Sequence, residues 1–184
     1  MGDGLRETRL RGERIYDGQV VKVDVDRVRF ADGGEAVREV VRHPGAVVVV
    51  PLLGNRRVVL ERQYRYPVAA ELIELPAGKL DAGEAPEACA RRELREETGL
   101  EAAHWRHLAT FFSAPGFCDE VMHCFLATGV EPAGAGVDRD VDERIEVLMV
   151  PFEHALGMVE RGEIRDAKSI TGLLLAARWL DAHG

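Results

Sequence analysis

The chain has 184 residues, 46% hydrophobic and 30% charged, with a formal net charge of −8. These fractions exclude a disordered or membrane-embedded polypeptide, and the length suits one domain with an added element. A protein that neutralises many phosphates carries a basic face, so the negative balance argues against nucleic acid as the main partner. Bound metal ions could instead bring positive charge to a small phosphorylated substrate.

The N-terminus has no apolar signal-like core, and the longest apolar run, residues 46–53, is too short to span a bilayer. Cys89, Cys118 and Cys124 form no CxxC pair and are odd in number, as expected of idle thiols in a reducing compartment. Cytoplasmic residence without a membrane partner is the expectation.

In chain order, residues 19–30 alternate apolar and polar side chains, as a half-buried strand does. Residues 36–43 continue in that style after an Asp32-Gly33-Gly34 turn, which predicts a β-hairpin. Residues 46–53, AVVVVPLL, are a continuous apolar run built on four consecutive β-branched valines, suiting a strand buried on both faces. Further strands are expected at 57–64 and, shorter, at 71–75. Residues 84–98 are rich in helix formers, with Pro86 suited to a first turn and Gly99 to the stop. Strands follow near 106–112, 121–127 and 145–151. The stretch 131–142 reads as a long loop, and helices at 152–161 and 167–181 close the chain. The prediction is an α+β protein: an α/β/α sandwich with a mixed sheet between helices, preceded by an N-terminal antiparallel hairpin. The boundary falls between regions 1–43 and 44–184.

The chemistry is concentrated in residues 78–100, GKLDAGEAPEACARRELREETGL. A charged, solvated helix with a glycine stop would explain RELREE alone, but not the whole spacing with both glycines. Glu93, Glu96 and Glu97 stand at i, i+3 and i+4, so their carboxylates share one helix face. Like charges on one stripe repel. Such a stripe makes sense when divalent cations occupy it, and carboxylate oxygens suit Mg²⁺.

This segment resembles the Nudix box at every defined position, from Gly78 and Glu84 through Arg92, Glu93, Leu94, Glu96 and Glu97 to Gly99 and Leu100. The resemblance implies a Nudix fold and Mg²⁺-dependent cleavage of a pyrophosphate bond, with Mn²⁺ as a substitute. It implies metal ligation by Glu93 and Glu97, with Glu96 alongside and the Ala77 carbonyl joining them. Glu84 and Arg92 match positions that brace the loop and helix, and Arg92 is counted with Glu96, Glu97 and Glu143 in the catalytic set.

Other segments resemble the ADP-ribose pyrophosphatase branch. Pro115 and Gly116 lie in SAPGFCDE, residues 113–120, and Glu120 would face the substrate. Glu74 opens ELPAGKLD, Arg65 closes RQYR, and Arg38 opens REVV, and the resemblance implies that Glu74, like Arg38, Arg65, Pro115, Gly116 and Glu120, binds the substrate. The implied reaction converts ADP-ribose to AMP and ribose 5-phosphate. Arg65 would meet phosphate or ribose, and the Arg38 region would help hold adenine, with Tyr16 or Phe30 as an aromatic face. The water-orienting base would come from residues 139–147, with Glu143 as the first choice and Asp142 or Glu146 as fallbacks; Glu143 would also serve the metal. A homodimer through the N-terminal hairpin is likewise implied. The same scaffold serves GDP-mannose and other nucleoside-diphosphate sugars, which is the first alternative. A catalytically silent nucleotide-binding module is the second. His43, His104, His107, His123, His154 and His183 show no metal-binding spacing and read as structural or surface residues.

Overall fold

The computed structural model describes residues 3–134 and 144–183. The chain divides into two compact units: one runs up to Gly45 and includes Phe112–Val121, and the other holds Ala46–Phe111 and Met122 onward.

The first unit is a three-stranded antiparallel sheet of β1 (Thr8–Asp17), β2 (Lys22–Arg29) and β3 (Glu35–Arg42), in that order. The expected hairpin is β2–β3, in register from Lys22 opposite Arg42 to Arg29 opposite Glu35. Strand β1 was not legible in the sequence. Every one of its residues is exposed, so no buried face imposes alternation, and bulges interrupt its register with β2. Asp26 is 5% exposed and receives bonds from Arg9 and Arg42. Asp24 is held at about 2 by bonds from Arg14 and then Arg42. The segment after Phe112 docks on β3: the Val41 N–H donates to the Phe117 carbonyl at 2.8 Å, and the Asp119 N–H to the Val41 carbonyl at 3.1 Å. The Asp119 carboxylate also accepts the His43 N–H at 2.7 Å and an Arg42 N–H at 3.1 Å.

The second unit is a mixed seven-stranded sheet between helices. Its strands are β4 (Ala46–Leu52), β5 (Arg57–Arg65), β6 (Ala70–Glu74), β7 (Ala77–Lys79), β8 (Leu100–Phe112), β9 (Val121–Pro132) and β10 (Ile145–Pro151). The order is β10-β5-β4-β9-β8, with β6 also paired to β5 and β7 to β4. Strand β4 runs parallel to β9 and antiparallel to β7.

All of β4 is buried, as the β-branched run predicts. Successive side chains of a strand point to opposite faces. Val48 and Val50 therefore join Phe152 and Leu173 of α2 (Phe152–Glu160) and α3 (Ala167–His183) in one cluster. Val47 and Val49 join Cys89, Ala90 and Leu94 of α1 (Pro86–Thr98) in another. Three differences from the sequence reading matter. Helix α1 begins at Pro86, which leaves Glu84 in the preceding loop. Strand β9 runs on to Pro132, so the stretch read as a loop from 131 starts inside a strand. Strand β7, Ala-Gly-Lys, has no intrinsic strand signal and forms through pairing with β4. Among the described residues, no helix is long and apolar enough to cross a membrane.

Candidate metal centre and phosphate site

Helix α1 carries the acidic stripe. It starts on Pro86 and stops at Gly99, which adopts φ +71° and donates its N–H to the Arg95 carbonyl. That left-handed turn favours glycine. Leu94 is fully buried and anchors the helix on the sheet. Strand β7, held on β4, lies along the helix. Glu97 is only 5% exposed and accepts the Ala77 N–H at 3.0 Å. A Cβ on Gly78 would fall 1.8 Å from the Glu93 carboxyl carbon, so only glycine leaves that carboxylate its place.

Arg92 is the hub of the cluster. Its guanidinium donates to both Glu84 oxygens at 3.0 and 2.9 Å, to the Lys79 carbonyl at 3.2 Å, to Glu93 at 2.8 Å and to Glu96 at 3.0 Å. Glu84 also accepts the Asp81 N–H at 3.0 Å. The bonds from Arg92 and then Asp81 hold Glu84 at about 2. In return Arg92 is held protonated well above the usual arginine range, chiefly by Glu84. Beneath them, burial pushes the Cys89 thiol to about 12, and its Sγ donates to the Lys79 carbonyl at 3.3 Å.

Glu84, Glu93 and Glu96 around one guanidinium, with Glu97 beside the Ala77 N–H, leave this cluster negative. Carboxylate and carbonyl oxygens are the donors that suit a hard divalent cation. Among the described residues, no three His, Cys, Asp or Glu side chains already converge as a closed metal cage. The groups here that could hold a cation are the carboxylates of Glu93, Glu96 and Glu97 and the Ala77 carbonyl.

A second cluster is built on the same unit. Glu74 is 3% exposed. It accepts from Arg65 Nε at 3.1 Å, from Arg65 Nη2 at 2.6 Å and from Lys168 Nζ at 2.8 Å. Burial alone would raise the Glu74 carboxyl, but the bonds from Arg65 and Lys168 outweigh it and lower it. Lys168 also donates to Asp166 at 2.9 Å. Asp166 accepts the Ser169 N–H, as an N-cap does, and the Ser169 hydroxyl accepts the Leu75 N–H at 2.7 Å. The first turn of α3 is thereby fastened to the segment leading to Ala77.

In the first unit, Arg38, Pro115 and Gly116 line a cavity of about 430 Å³ with Glu7, Phe112 and Phe117. Arg38 donates to Glu7 at 3.0 Å, and its guanidinium carbon lies 5.6 Å from the centroid of the Phe30 ring. Glu120 is not among the lining residues; its carboxylate lies 3.4 Å from His43 Nδ1. Tyr16 is exposed. Glu143 and Asp142 lie outside the described residues. Glu146 is on β10, opposite Arg62, and accepts from it at 2.9 Å.

The NUDIX domain model matches residues 42–173. The chain belongs to the Nudix family. A methanol dehydrogenase activator of Bacillus methanolicus is 38% identical over 92% of this chain and 92% of its own length. An ADP-ribose pyrophosphatase of Bacillus subtilis strain 168 is 39% identical over 90% and 89%. A GDP-mannose pyrophosphatase of Klebsiella pneumoniae is 44% identical over 70% and 68%. A solved structure described as an ADP compounds hydrolase superposes with a TM-score of 0.87 at 25% identity, covering 100% of this chain and 99% of the other.

This is thus a Nudix hydrolase with the Nudix fold, an intact box, and a three-stranded sheet at its N-terminus. Nudix hydrolases generally need a divalent metal ion, and the oxygen donor set accords with that. The structure brings Ala77, Gly78, Glu84, Arg92, Glu93, Glu96 and Glu97 together, and separately Arg65 with Glu74. Sequence reasoning missed Lys168 and Asp166. The available signal was Asp166 as an N-cap before the apolar helix, but nothing local tied Lys168 to Glu74, 94 positions earlier.

Proposed function

We propose that this Nudix enzyme uses Mg²⁺ to hydrolyse ADP-ribose to AMP and ribose 5-phosphate, with Mn²⁺ as a workable substitute. The observation that carries the proposal is the oxygen-rich stripe of Glu93, Glu96 and Glu97 set against Ala77 and Gly78. It occurs in a chain that matches an ADP-ribose pyrophosphatase over most of both lengths.

Glu93, Glu96, Glu97 and the Ala77 carbonyl would hold the metal, which when bound supplies positive charge to the diphosphate and an activated water. Arg92 keeps Glu93 and Glu96 in place and, with Glu84, braces the loop. Arg65 offers its guanidinium to substrate phosphate, with Glu74 acting through Arg65. We assign Arg38, Pro115 and Gly116 to the nucleoside and Glu120 to the terminal ribose. Glu143 is assigned to orienting the water and to assisting at the metal, with Asp142 and Glu146 as the other candidates. Glu143→Gln is expected to lower kcat roughly a hundredfold or more, the scale of lost general-base assistance, without lowering thermal stability. An unchanged kcat would move the role elsewhere.

We assign residues 1–43 to dimerisation and adenine-side contacts, and residues 44–184 to the hydrolase domain. A homodimer through the N-terminal strands is supported by exposed Ile15, Tyr16, Val20, Val21 and Val37. The three free cysteines suit a cytoplasmic protein. A second reading, cleavage of GDP-mannose, is favoured by the 44% identity to the Klebsiella relative. A substrate panel separates the two by their products, AMP or GMP. The silent-module reading would need a damaged carboxylate stripe, whereas every glutamate of the stripe is present.

A further inference from the structure

We infer that Lys168, on the first turn of the C-terminal helix, is a positioning residue for substrate diphosphate and acts through Glu74 and Arg65. The inference rests on the assignment of Arg65 to phosphate made above.

A guanidinium has two edges that can each hold an oxyanion bidentately. Glu74 takes the Nε/Nη2 edge of Arg65. The Nη1/Nη2 edge remains for a ligand, on a side chain that is 41% exposed. The orientation of that free edge depends on Glu74, which has a 4% exposed side chain and cannot fix Arg65 unless it is itself fixed. Lys168 fixes it. Its Nζ donates to the same Glu74 Oε2 that Arg65 Nη2 uses, and its side chain is only 15% exposed. Asp166 holds the other side of the ammonium.

Lys168 contributes this positioning without needing to reach the substrate. Its anchor, α3, is also tied to the segment leading to Ala77, because the Ser169 hydroxyl accepts the Leu75 N–H.

The test is a double-mutant cycle on the full-length protein. Lys168→Gln and Arg65→Ala are made singly and together, with Lys168→Arg as the conservative control. KM and kcat are measured on whichever of ADP-ribose and GDP-mannose the wild type cleaves, and the Kd of ADP is measured as a diphosphate probe that needs no turnover. Lys168→Gln is expected to raise KM and the ADP Kd roughly tenfold while kcat changes less than about threefold. Lys168→Arg should restore most of the affinity. In the Arg65→Ala background, Lys168→Gln should add less than about twofold, because residues acting as one unit are not additive. Equal, additive effects in both backgrounds would overturn the inference, since Lys168 would then act independently of Arg65. So would a fall in melting temperature with unchanged KM and Kd. If Lys168→Gln does not fold, Lys168→Met takes its place in the same cycle, with the ADP Kd as the readout and the same expected non-additivity. Failure of the wild type to cleave ADP-ribose would overturn the substrate reading alone, because the ADP cycle still reports on Lys168.

Discussion

Gly78 and Glu93 are packed so closely that a single methyl group on the glycine would lie 1.8 Å from the Glu93 carboxyl carbon. A short strand and a helix thus meet where a proposed metal ligand must sit. Gly78→Ala should displace that carboxylate, because β7 is pinned to β4 and α1 is anchored by Leu94. A misplacement of about 1 Å near the chemistry can cost roughly a hundredfold in rate. The expected result is a loss of that order in kcat, a higher metal concentration for half-maximal activity, and a small change in melting temperature. Steady-state kinetics across a metal titration would check it; wild-type activity would show that Glu93 does not need this position.

Glu84 gives a pH-dependent prediction. Its folded value of about 2 lies below the ordinary 4.5, because Arg92 and the Asp81 N–H favour the carboxylate. The stabilisation is therefore present above about pH 4.5 and is lost as pH falls toward 2. Glu84→Gln should lower the melting temperature at neutral pH, and the gap to wild type should narrow below about pH 4.5. A gap that stays constant from neutral pH to about pH 3.5 would mean that the Arg92–Glu84 contact does not depend on charge.

The thiols should differ sharply. Burial pushes Cys89 and Cys124 to about 12, and both are fully buried, whereas Cys118 is partly exposed. A thiolate reagent applied to the native protein near neutral pH should modify Cys118 and spare the other two, with all three reacting in denaturant. Rapid native modification of Cys89 would contradict the packing of α1 on the sheet.

Much of this was legible in the sequence because local and global signals agreed. The β-branched run became the fully buried β4, and the spacing of Glu93, Glu96 and Glu97 set them on one helix face. The rest depended on contacts between distant positions. Strand β1 has no buried side to impose a pattern, and β7 exists only through its partner. Lys168 carries no local signal, because its partner Glu74 lies 94 positions earlier in the chain. The partnership of Gly78 with Glu93 also required the fold, although the box spacing already marked both residues.

The central claim is tested most directly by incubating the purified protein with ADP-ribose and Mg²⁺ and resolving the products by chromatography. Glu97→Gln serves as the blank, a metal-chelated sample as the second control, and GDP-mannose runs in parallel. The expected result is AMP and ribose 5-phosphate from the wild type, little or none from either control, and much slower turnover of GDP-mannose. Intact ADP-ribose after incubation with folded, metal-supplied wild type would contradict the claim, as would equal cleavage by Glu97→Gln.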